Sequence, residues 1–96
     1  MRPSIALAEH RDALRALSLK HAVRNPRVYG SVARGEDSDR SDLDLLVEPT
    51  PSTTLLTLAA LQIEAEQLLG VPVDVRTLED LPLRIRQQVL REASPV

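Results

Sequence analysis

The sequence has no cysteine, tryptophan or phenylalanine, and Tyr29 is its single aromatic residue. The absence of cysteine excludes disulfides, thiol catalysis and thiolate metal sites. Without an aromatic shelf, a single-stranded nucleic acid would find no stacking platform. The formal net charge is -2, so the total charge gives nonspecific DNA binding no support and no direct nucleic-acid partner is expected. No apolar run approaches membrane-spanning length and the N-terminal stretch lacks a signal-peptide pattern. A cytoplasmic chain with no membrane partner is therefore expected. Lysine is scarce too: Lys20 is the only one among 12 basic residues. High-GC codon usage explains that more simply than a preference for phosphate-gripping guanidinium does.

What remains is 96 residues rich in Leu, Val, Ile and Ala. That length allows one domain, residues 1–96, with a modest and necessarily aliphatic core. Residues 1–4 and 93–96 are expected to fray. Residues 5–22 read as a helix, with Leu7, Leu14 and Leu17 on one stripe that His10 and His21 continue. Asn25-Pro26 ends it and leads into a strand through Arg27-Val28-Tyr29. A second strand is expected over Asp42–Glu48. A helix follows over Thr54–Leu69, capped by Ser52 or Thr53, with Leu55, Leu58, Ala65, Leu68 and Leu69 buried. Gly70 and Pro72 stop it. Val71–Arg76 reads as a third strand, Thr77 to Asp80 as a capping box, and a last helix beyond Pro82 carries Ile85, Val89 and Leu90 inward.

The chemistry-bearing residues lie between Gly30 and Glu48, GSVARGEDSDRSDLDLLVE. Side chains alternate along a strand at about 3.3 Å per residue, which puts Asp42 and Asp44 on one face with Cα atoms about 7 Å apart. Leu43, Leu45 and Val47 then point into a core. Two carboxylates held side by side repel each other, and a hard divalent cation such as Mg²⁺ or Mn²⁺ relieves that repulsion. Upstream, the Gly30-Ser31 turn offers backbone N–H groups and a hydroxyl to phosphate oxygens. The plain alternative is an acidic loop in which Asp42 and Asp44 are only solvated. Glu36, Asp37 and Asp39 lack a fixed spacing to any strand and are expected as solvated loop charges. Arg34 suits either a triphosphate or an ion pair with Glu36 or Asp37. Val71, Val73 and Val75 alternate inward, so Asp74 faces the side on which Asp42 and Asp44 are expected.

Gly30-Ser31, ten intervening residues, then Asp42-Leu43-Asp44 resembles the signature of the polymerase-β-type nucleotidyltransferase superfamily. The short chain and Ser41–Val47 look most like its minimal nucleotidyltransferases (MNT), which are commonly paired with a HEPN-domain toxin. The resemblance implies an α/β (α+β-like) nucleotidyltransferase core, a small mixed β-sheet with helices packed on one face. It implies Asp42, Asp44 and Asp74 as catalytic residues and ligands of two Mg²⁺ ions. Gly30, Ser31 and Arg34 would hold the phosphates of ATP. The implied reaction moves AMP to a protein hydroxyl, a tyrosine of the HEPN toxin, so that the chain acts as an antitoxin, in a homo- or hetero-oligomer. Two alternatives stay open: an antitoxin that works by binding alone, and a nucleotidyltransferase acting on a small-molecule hydroxyl.

Overall fold

A computed structural model describes residues 1–96. The elements run α1 (Pro3–Lys20), β1 (Val23–Tyr29), α2 (Gly30–Arg34), β2 (Leu43–Pro49), α3 (Leu55–Leu69), β3 (Val73–Arg76), a single 3-10 turn (Leu78–Asp80), α4 (Leu83–Glu92) and β4 (Ser94–Pro95). The sheet order is β3-β2-β1-β4. β1 is antiparallel to both β2 and β4, while β2 and β3 are parallel across α3, so the sheet is mixed. No helix is long and apolar enough to cross a membrane.

Alternation in β2 sets the layers. Leu43, Leu45 and Val47 are buried against Ala6, Leu7 and Leu14 of α1 and Leu61, Ala65 and Leu69 of α3. Burial of each such Leu or Val contributes roughly 1.5–3 kcal/mol, which is how an aliphatic core suffices. The expected helix layer on one face is thus present. Leu46 points the other way, into a smaller cluster with Tyr29, Leu81 and Val89, and α4 covers that part of the opposite face. α3 starts one residue later than expected, with Thr54 as N-cap in a reciprocal capping box with Thr57. Leu55, in the first turn, is 86% exposed instead of buried, and Leu90 of α4 also lies outward at 41%. His10 is partly buried, as a histidine continuing the stripe is expected to be, and α1 kinks there, at φ -130° and ψ 22°.

The C-terminal segment, expected to fray, is instead held. β4 pairs with Arg27 and Val28, Val96 is buried, and Arg15 donates to the Val96 carbonyl at 2.7 Å. At the other end Pro3 is already helical and buried, so this segment is not frayed either. Asp37 corrects a second expectation, because its side chain is buried and not solvated. It accepts hydrogen bonds from the Ser4 backbone N–H at 2.9 Å and from Arg2 at 3.2 Å, and so caps a helix that lacks a local cap. Burial pushes its carboxyl up, but the Ser4 and Arg2 hydrogen bonds outweigh that and hold it below the usual aspartate range. A depressed folded pKa stabilises above the unfolded value, and that contribution is lost as pH falls through the folded one. Asp37→Ala should therefore cost about 1–2 kcal/mol at pH 7 and much less at pH 3, read from urea melts at both values.

Candidate active site

Strand register brings the carboxylates together. Tyr29 of β1 pairs with Asp44 of β2, and Asp44 pairs with Asp74 of β3, forming one row across three strands. Directly paired residues share a sheet face, so Asp44 and Asp74 lie side by side on the face away from the α1–α3 core. Asp42 precedes the first residue of β2 and is exposed; Asp44 and Asp74 are half-buried. Gly30 sits at the end of β1 with φ +71° and opens α2, which carries Ser31 and Arg34. A Cβ built on Gly30 would run into Asp44 Oδ2 and lie 3.2 Å from its Cγ. The Gly-Ser turn and the second aspartate of the motif are therefore in direct contact.

Electrostatics bear out the crowding. Burial, then the charges of Asp74 and Asp42, push the Asp44 carboxyl up to about 6, against the opposing effect of Arg34 and Arg76. Burial first, then Asp44 and Asp74, push the neighbouring Tyr29 phenol up to about 12, so it stays protonated. Asp74 accepts a hydrogen bond from Arg76 Nε at 3.1 Å, the ion pair that an edge-strand aspartate invites. Arg34 donates to Glu36 at 3.1 Å and to Glu92 at 3.0 Å. Glu92 also accepts the Gly30 N–H at 2.9 Å.

No three of these side chains already form a closed metal cage. The donor set is nonetheless all oxygen, and the Asp44 carboxyl, raised first by burial and then by the charges of Asp74 and Asp42, is one whose ionised form a hard divalent cation would favour. The Asp74–Arg76 pair engages Asp74 Oδ1 and leaves Oδ2 without a hydrogen-bond partner. Neither surface hollow of the molecule is lined by the aspartates; one lies along α1 at the kink and the other beside Asn25 and Pro95.

Of the residues singled out in the sequence, Gly30, Asp44 and Asp74 converge, with Asp42 and Ser31 adjacent in the chain. Arg34 is near enough to act on Asp44 but is held by carboxylates. Arg76, the partner that the plain reading of Asp74 expects, does pair with it, whereas Glu92 and Tyr29 carry no functional expectation in the sequence. Glu92 stands 62 residues from Gly30, and no local pattern marks it.

A family model described as Polymerase beta, Nucleotidyltransferase matches residues 14–96. The protein adenylyltransferase MntA of Thermococcus cleftensis is 37% identical over 86 residues, covering 90% of this chain and 84% of that one. A solved structure provisionally described as a minimal nucleotidyltransferase is 46% identical, with a TM-score of 0.87 over 97% of this chain and 95% of that one. The crystal structure of a toxin-antitoxin with AMP-PNP shares the fold, with a TM-score of 0.71 at 20% identity, over 83% of this chain and 66% of that one.

Proposed function

The chain belongs to the polymerase-β nucleotidyltransferase family and is a nucleotidyltransferase; from that premise we propose that it moves AMP from ATP to a protein hydroxyl. The acceptor is a tyrosine of a HEPN-type toxin, which makes the chain the antitoxin of the pair. The observation that carries this reading is the Asp44–Asp74 row in contact with the Gly30 turn. The name of the 37% identical relative supports adenylyl transfer to protein.

In this reading Gly30 and Ser31 N–H groups, the Ser31 hydroxyl and Arg34 grip the β- and γ-phosphates. The acceptor oxygen attacks the α-phosphorus, the bond to the bridging oxygen breaks, and pyrophosphate leaves. Asp74 takes the hydroxyl proton as general base. Asp42 and Asp44, joined by Asp74 for a second ion, would hold Mg²⁺, whose chemistry is charge neutralisation at phosphate oxygens and a lowered pKa for the acceptor hydroxyl. Holding the groups in line and offsetting charge supply most of the rate.

The test is label transfer to a HEPN-type toxin, the product of a neighbouring gene being tried first, with Mg²⁺ and ATP labelled in parallel at the α- or γ-phosphate. Label from the α-position alone is expected. Label from the γ-position would make the protein a kinase. No label with a stable complex would mean that it neutralises by binding alone.

A further inference from the structure

Glu92 is the last residue of α4, and its side chain is only 16% exposed. One oxygen accepts the Gly30 N–H at 2.9 Å, and the other accepts Arg34 Nη1 at 3.0 Å. A backbone N–H beside a glycine turn and a guanidinium form an anion-binding pair. They are also the donors that the proposed reaction assigns to the triphosphate. A carboxylate oxygen and a phosphate oxygen make the same demand on an N–H, and one directed donor cannot satisfy both at full strength. We infer that Glu92 is an internal occupant of the phosphate cradle, and that the nucleoside triphosphate binds by displacing it. The inference rests on the proposed phosphate role of Gly30 and Arg34.

The experiment titrates a nonhydrolysable ATP analogue with Mg²⁺ into the wild type, Glu92→Gln and Glu92→Asp by calorimetry. Gln keeps the length but loses the charge, and Asp keeps the charge but is one methylene short of spanning both donors. Loss of a charge-assisted competitor should tighten binding roughly ten-fold in Glu92→Gln and less in Glu92→Asp. Unchanged or weaker binding in both variants, with the wild type still binding, would sink the inference alone and make Glu92 a strut. No binding by any of the three, with no α-label transfer, would overturn the nucleotidyl-transfer reading and the inference with it. If Glu92→Gln melts below the assay temperature, Glu92→Asp decides.

Discussion

Asp44→Asn should yield a protein that is inactive yet more stable. Asp44 sits beside Asp74 and Asp42 with its carboxyl pushed up to about 6, burial being the largest cause. A carboxyl whose folded pKa lies above its unfolded value binds more protons folded than unfolded between the two. Stability therefore falls as pH rises from the unfolded value, about 4, through about 6. At pH 7.5 the native state bears that cost in full. A two-unit shift corresponds to roughly 3 kcal/mol at most; because Asp44 is half-buried, solvent screening reduces it to about 1 kcal/mol. The asparagine variant should melt about 4–8 °C higher than the wild type at pH 7.5 without metal, and the gap should close near pH 4. Activity should fall about 10³-fold, because the amide cannot supply the negative charge that the proposed cation needs. Mg²⁺ should raise the melting temperature of the wild type and leave the variant unmoved. A variant that melts lower at pH 7.5 would show that Asp44 is not the crowded carboxylate described above.

Gly30→Ala should be nearly as damaging to activity, for a steric reason. Gly30 has φ +71°, in the left-handed region, which costs a residue with a Cβ roughly 1–2 kcal/mol. The new methyl would also run into Asp44 Oδ2 and force that carboxylate out of the row. Gly35 separates the two effects. It has the same φ, but a Cβ there meets nothing within 4 Å. Gly35→Ala should lose a similar amount of stability and keep most of its activity, whereas Gly30→Ala should lose about 10²-fold or more in kcat/KM. Equal losses in the two variants would mean that the close approach of Gly30 to Asp44 has no part in the reaction.

These two positions were legible in the sequence because a strand's period of two and a glycine turn are local features. The aspartates alternate with Leu43 and Leu45, and Val73, Asp74 and Val75 repeat the pattern on the strand that α3 brings alongside. The stop at Gly70 was legible for the same reason, since the residue ends α3 with φ +69°. What was not legible depends on partners far along the chain. Asp37 caps α1 from 33 residues away, and Glu92 reaches Gly30 across 62. Ser94–Val96 is too short to show a period, and it is ordered by bonds to Pro26 and Arg15 that its own composition does not encode. Leu55 read as buried because apolar spacing cannot tell the first turn of a helix from the turns that reach the core.

The sheet order also governs what the molecule does in a crowded solution. Unpaired strand edges invite pairing with other chains, and here both are poor templates. β4 offers only two residues, one of them Pro95, which has no N–H to donate. β3 offers four, and two of those are Asp74 and Arg76. Asp74, read as chemistry on one face, thus stands with Arg76 on the rim as a charged gatekeeper. A substitution that made Asp74 apolar would remove a proposed catalytic group and also open an edge for self-association.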